Sequence, residues 1–252
     1  MIRTLATALV LAGGPAFAHF GMVIPSDNMV TQEEGRSIDF TVAFSHPFEP
    51  LGMELVMPES FKVYTGEGEE DLTETLQAEE FFGAPGYTAS YELSRPGAYA
   101  FVMTPQPYWE PAEDSYIIHY TKTYIAAFDD DEGWDAELGL KTEIVPLSKP
   151  FGLWAGNIFQ GIVKFDGKPV PYAEVEVEYY NETGAKAPNE LMITQTIKAD
   201  GNGVFSYAAP VSGWWGFAAL KTASYSLPHE DTAKPVELGA VIWVKFEDWI
   251  AQ

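Results

Sequence analysis

The chain has 252 residues, with 37 Asp and Glu against 14 Lys and Arg, four histidines, no cysteine and a formal charge of −23 at pH 7. The lack of cysteine excludes disulfides, thiolate metal sites and cysteine nucleophiles. The acidic balance argues against nucleic acid or anionic lipid as a partner and attracts cations only diffusely.

Residues 1–18 read as an export signal. Arg3 supplies the positive start, Leu5 to Leu11 a short apolar run, and Ala16-Phe17-Ala18 the small-x-small cleavage pattern. That run is too short to span a bilayer, and no later window reaches the roughly 18 apolar residues a membrane helix needs. The mature chain is therefore expected to be soluble and exported, with no membrane insertion. Cleavage after Ala18 makes His19 the amino terminus and leaves 13 basic against 37 acidic side chains, a formal charge of −24.

From there the pattern is period two throughout, which predicts an all-β protein. In "SIDFTVAFSHPF", Ile38, Phe40, Val42 and Phe44 share one face and Asp39, Thr41 and Ser45 the other. "GYTASYEL", "GAYAFVMTP", "DSYIIHYTKTYIAAF" and "LKTEIVPL" continue the alternation between Gly and Pro turns. Residues 19–148 are expected to form an immunoglobulin-like β-sandwich. The acidic runs Glu67 to Asp71 and 128–137 read as solvated faces that keep sheet edges unpaired. A calcium loop fails at both candidate glycines: counting back from Gly133 puts Phe128 at the first ligand position, and from Gly203, Lys198.

"PLSKPFGLWAGN" (146–157), stiffened by two prolines and broken by Gly152 and Gly156, marks a boundary. Residues 149–252 then read as a second sandwich. The sequence "IFQGIVKF", a D-G-K-P-V-P turn, "EVEVEYY", "ITQTIKA", a D-G-N-G turn, "VFSYAAP", "GWWGFAAL" and "GAVIWVKF" is the layout of prealbumin-like or carboxypeptidase-regulatory-like modules.

Standard catalytic signatures are missing. There is no G-x-S-x-G, and "HEDTA" lacks the second histidine of a zinc-protease helix. The histidines carry what chemistry there is. An amino-terminal His19 offers both its α-amine and ring Nδ1, which close a chelate around a metal; the two groups shed protons near neutral pH when a cation competes. A histidine left there by chance cleavage is the plain alternative. His46 continues the stripe of Phe44 to the strand end, where Pro47 stops the ladder. That places it at a sandwich rim, as a site residue or as a core histidine bonded to a carbonyl. His119 lies mid-strand in "SYIIHYTKTY", a structural position if taken singly; Trp109, Glu110 and Glu113 upstream could line or support the same cleft. His229, in the polar stretch "SLPHEDTAKP", reads as a solvated loop residue. Met53, Leu55 and Met57 alternate like a strand face and Met103 ends a buried stripe with Tyr99 and Phe101, so packing accounts for them; Met22, three residues from His19, is the one methionine that stays open as a thioether ligand.

Taken together, "AHFGMVIPS", "FSHPFE", "YWEPAEDSYIIHYTK", the stretch from Gly133 to Val163, "GKPVPYAEVEVEYYN", "GWWGFAAL" and "ELGAVIWVKF" resemble the periplasmic accessory component of bacterial nickel/cobalt uptake systems of the energy-coupling-factor type, the NikK-type family. The resemblance runs from residue 19 to about 247. It implies a protein of the periplasm that binds divalent nickel, or cobalt, and passes it to a membrane nickel/cobalt transporter component, and is not an enzyme. Carried over by position, the metal residues are His19, His46 and His119. An all-nitrogen set of this kind suits Ni(II), Co(II), Cu(II) and Zn(II), so copper is an alternative ion that ligand type does not exclude. Two other readings stay open: a copper histidine-brace enzyme oxidising polysaccharide, and an adhesion or binding module in which the histidines are incidental.

Overall fold

A computed structural model describes residues 19–49 and 51–249, so the expected signal at 1–18 lies outside the described residues. The first strands are β1 (Phe20–Pro25), β2 (Met29–Val30), β3 (Ser37–His46), β4 (Leu51–Met53), β5 (Ser60–Thr65) and β6 (Gly68–Asp71). Then come β7 (Gln77–Phe81), β8 (Ala84–Glu92), β9 (Gly97–Thr104), β10 (Tyr108–Glu110), β11 (Ser115–Ala127), β12 (Thr142–Pro146) and β13 (Leu153–Trp154). The series ends with β14 (Ile158–Phe165), β15 (Lys168–Pro169), β16 (Glu174–Tyr179), β17 (Gln195–Lys198), β18 (Val204–Ala208), β19 (Gly213–His229) and β20 (Thr232–Glu247). The described helices are two single 3-10 turns, and none is long and apolar enough to cross a membrane. The protein is all-β and sandwich-like, as the alternation requires.

Three sheets are stacked. The first has the order β1-β3-β8-β7 with β4 on β3, and the third is β12-β14-β15 with β18 on β14. Between them lies an eleven-stranded sheet, β17-β16-β19-β20-β11-β9-β5-β6, which carries β2, β10 and β13 on its flanks. Strand periodicity sets which residues face which neighbour. Tyr99, Phe101 and Met103 of β9 with Ile117 and Ile125 of β11 meet Phe40, Val42 and Phe44 of β3 in one core. The alternate residues Ala98, Ala100 and Tyr124 turn the other way, into a second core with Phe159, Phe205, Phe217 and Phe246.

The central sheet is continuous because β11 and β20 pair in parallel, Tyr116 opposite Val236 through Thr123 opposite Trp243. The boundary expected at 148/149 lies between β12 and β13, and strands from both sides of it share this sheet. β12, placed by that boundary with the first half, pairs with β14 of the third sheet. The link is reinforced by β1, which is buried on both faces. Phe20, Met22 and Ile24 pack with Trp214, Ala218, Val241 and Trp243 of the later strands, and the Trp243 indole donates to the Gly21 carbonyl at 2.8 Å.

The D-G turn read after "IFQGIVKF" is present: Asp166 and Gly167 both have positive φ, 48° and 71°, as a type I′ turn requires. "SLPHEDTAKP" departs from expectation. It is the tip of the β19–β20 hairpin, in which His229 faces Thr232 and Pro228 faces Ala233.

Candidate metal centre

β1 enters the molecule through His19, and alternation sends His19, Gly21 and Val23 to the side opposite Phe20 and Met22. On that side β3 ends in His46 and β11 presents His119. The His19 and His46 rings lie 4.7 Å apart, tilted by 46°. Phe44 joins the group to His119: its ring stacks on His19 at 5.8 Å and meets the edge of His119 at 5.7 Å. Three histidines, one just before β1, one at the end of β3 and one within β11, spread over a hundred residues of sequence, thus share one neighbourhood.

Their environments differ. His119 is only 2% exposed, and neither ring nitrogen has a hydrogen-bond partner. Its nearest charged group is Glu237 Oε1, 3.8 Å from Nε2 and beyond bonding range. Gly239 and Gly21 make room for this packing. A Cβ on Gly239 would lie 2.6 Å from His119 Nε2, and one on Gly21 would run into the Thr121 hydroxyl. His19 and His46 are half-buried.

His19 Nε2 lies 3.0 Å from Glu110 Oε2, while Nδ1 is 4.0 Å from Glu113 Oε1. Burial, aided by the neighbouring His46 and His119, lowers the His19 pKa from 6.5 to about 4 against the opposing pull of Glu110 and Glu237. The ring is therefore neutral at pH 7 and keeps one lone pair for a cation. Acid groups frame the site: Glu113 is raised by burial and by its neighbours Glu237 and Glu110. Burial, with Glu237 first among the surrounding carboxylates, pushes Glu176 up to about 7. A cavity of about 230 Å³ opens beside His119, walled by Phe44, Leu55, Met103, Tyr108, Trp109 and Ile117.

Residues of the second half hold the His46 turn. Asn181 accepts nothing from it but donates twice: its backbone N–H to the Pro47 carbonyl at 3.1 Å and its side-chain amide to the Phe48 carbonyl at 3.0 Å. The Phe48 N–H donates in turn to buried Glu178 at 2.9 Å.

Whether these residues suit a metal has two answers. A buried imidazole with neither nitrogen engaged has one free to ligate, and beside a neutral second ring it offers the nitrogen donors a borderline divalent ion takes. Yet among the described residues no three His, Asp or Glu side chains converge tightly enough to hold an ion as they stand. A closed shell needs the three rings to draw closer together than they stand.

Three sequence expectations are corrected. Met22 is not near the histidines: period-two alternation turns it into the core, where its sulfur accepts from the Ser45 hydroxyl at 2.9 Å. His229 is no free solvated side chain; it stacks on Trp109 at 3.7 Å and 18° and pairs Nδ1 with the Tyr116 hydroxyl at 3.1 Å. Met57 also leaves the strand face assigned to it, since β4 stops at Met53 and Met57 is 42% exposed. Met103 is fully buried with Tyr99 and Phe101, as expected. Asn181, Gly239 and Glu237 carry no local signal that would have marked them.

Solved structures share low identity over most of the chain. Trypsin-activated alpha-2-macroglobulin from Escherichia coli is 9% identical over 92% of this chain, with TM-score 0.25, and the chain spans 16% of its length. A Ca2+-stabilized adhesin of an Antarctic bacterium is 12% identical over 90% of this chain and 49% of its own, TM-score 0.23. The fibronectin(III)-like modules of Clostridium thermocellum CbhA are 12% identical over 92% of this chain and 98% of their own, TM-score 0.21. No curated protein sequence matches. The family profile described as a domain of unknown function, DUF4198, matches residues 16–223, and the chain belongs to that family.

Proposed function

We propose that this chain is a periplasmic carrier that binds a divalent transition-metal ion, nickel or cobalt, and hands it to a membrane uptake transporter, without catalysing a reaction. One observation carries the reading: three of the four histidines, from β3, β11 and the residue before β1, form one chain of ring contacts, His46 against His19 and both His19 and His119 against Phe44. A site at a strand start, a strand end and a mid-strand position brings nothing together by chance of local sequence. The choice of nickel or cobalt over copper rests on the resemblance of the sequence to the nickel-uptake accessory family, because nitrogen donors alone favour copper.

In this reading His19 supplies its α-amine and one ring nitrogen, and His46 and His119 supply ring nitrogens. The surrounding carboxylates favour a cation without forming its first shell. The test is calorimetric titration of nickel into protein beginning at His19, and into a version with one extra residue in front. The native terminus is expected to bind in the nanomolar-to-micromolar range, and the extended one at least tenfold more weakly, about 1.4 kcal/mol or more. Equal affinity would remove the amine from the site. No binding to the native-terminus protein would overturn the reading and leave a module in which the histidines serve packing.

A further inference from the structure

The two nitrogens of the His19 ring are not equivalent. Nε2 is within hydrogen-bond distance of Glu110 Oε2, 3.0 Å, and Nδ1 is 4.0 Å from its nearest carboxylate, too far for a bond. Glu110 is itself buried and held. Its second oxygen, Oε1, accepts the Ala112 N–H at 2.8 Å, closing the turn after β10. The strand carrying it is pinned on both sides: Tyr108 packs edge-on against Phe44 at 5.0 Å and Trp109 stacks on His229. A carboxylate is an acceptor only, so its partner nitrogen carries the hydrogen, and a neutral imidazole has only one to give.

The geometry points to Glu110 as the positioning residue of the site: by taking the Nε2–H of His19 it fixes the ring as the tautomer whose Nδ1 holds the free lone pair. This rests on the metal-carrier reading, and it meets an independent demand of chelation. Only Nδ1 can close a six-membered ring with the α-amine of the same residue; Nε2 points away from the backbone and cannot. A carboxylate behind a ligating imidazole orients the ring and raises its basicity, and its loss typically weakens metal affinity 10–100-fold. In this light "YWE" is more than lining: Trp109 and Tyr108 anchor the strand and Glu110 sets the histidine.

Two measurements separate this role from the function it serves. Long-range proton–nitrogen NMR of the imidazoles in metal-free protein reads which ring nitrogen is protonated. His19 is expected to be protonated at Nε2 in the wild type and in Glu110→Gln, whose amide oxygen still accepts, and to become a mixture of tautomers in Glu110→Ala. Nickel titration of the same three proteins should show Glu110→Gln within about tenfold of wild type and Glu110→Ala about 10–100-fold weaker. A wild-type His19 protonated at Nδ1 overturns the inference whatever the variants do. So does a Glu110→Ala that loses affinity with its tautomer unchanged, which would make Glu110 merely structural. If Glu110→Ala fails to fold, the wild-type tautomer and Glu110→Gln decide the matter alone. The expected tautomers with no nickel bound by any of the three would uphold Glu110 as the residue that orients His19 and sink the carrier reading instead.

Discussion

Gly239 gives the sharpest test of how the buried histidine is held. It lies opposite His119 in the parallel β11–β20 ladder, and its missing side chain is what the imidazole packs into. A Cβ there would stand 2.6 Å from Nε2 and 2.9 Å from Cγ, nearly an ångström inside ordinary carbon contact, so the buried ring has to shift toward the cavity beside it and give up its present packing. Overpacking of this kind costs about 1–3 kcal/mol. Gly239 does not adopt a left-handed φ, so alanine also recovers about 0.5–1 kcal/mol that glycine loses in a strand interior. Gly239→Ala should therefore destabilise by roughly 0.5–2 kcal/mol once the two opposing effects are combined. In a His119→Ala background the clash disappears and only the gain is left, so the same substitution should stabilise by about 0.5–1 kcal/mol. The assay is denaturant unfolding of the four proteins of the double-mutant cycle. A Gly239→Ala effect of the same sign and size in both backgrounds would refute the packing argument.

Three further outcomes follow from groups around the site. Burial pushes the Glu178 carboxyl from its ordinary range up to about 7, so between about pH 4.3 and 7 the folded chain keeps a proton that the unfolded chain releases. Stability then falls as pH rises through that window, by up to about 3 kcal/mol, and Glu178→Gln should flatten that share of a stability-against-pH profile; an unchanged profile would refute it. Lys122 and Glu143 form a fully buried pair at 2.6 Å, and Glu143 also accepts the N–H groups of Leu138 and Gly139. Lys122→Met should cost about 3–5 kcal/mol in urea unfolding by stranding the carboxylate, and a loss under about 1 kcal/mol would contradict the burial. Asn181→Ala removes the amide that ties the Phe48 carbonyl, and at about 1–3 kcal/mol it should lower both thermal stability and nickel affinity through His46. Loss of stability with affinity untouched would show that the turn does not place His46.

What the sequence made legible divides along a physical line. The β3 stripe was readable because as far as Thr41 one face is buried and the other is exposed or half-exposed, and it led straight to His46 at its end. β1 was not, since both its faces are buried and an unbroken apolar run does not say which side Met22 takes. The β19–β20 hairpin failed for the opposite reason. Beyond Lys221 the ribbon leaves the sandwiches with little buried on either face, so no alternation marks it, and the prolines suggest a loop. The parallel pairing of β11 with β20 has no turn to announce it, yet it is this pairing that sets Gly239 under His119 and brings Glu237 alongside. The three histidines could thus be nominated one by one, but their supports could not. Gly239, Asn181 and Glu178 all come from the second half of the chain, reaching back across the shared sheet. If the carrier reading holds, that half is no mere spacer: cutting the chain near residue 148 would take away the strand under His119 and the clamp on His46 together, and the first half alone would keep its three histidines without the geometry that gathers them.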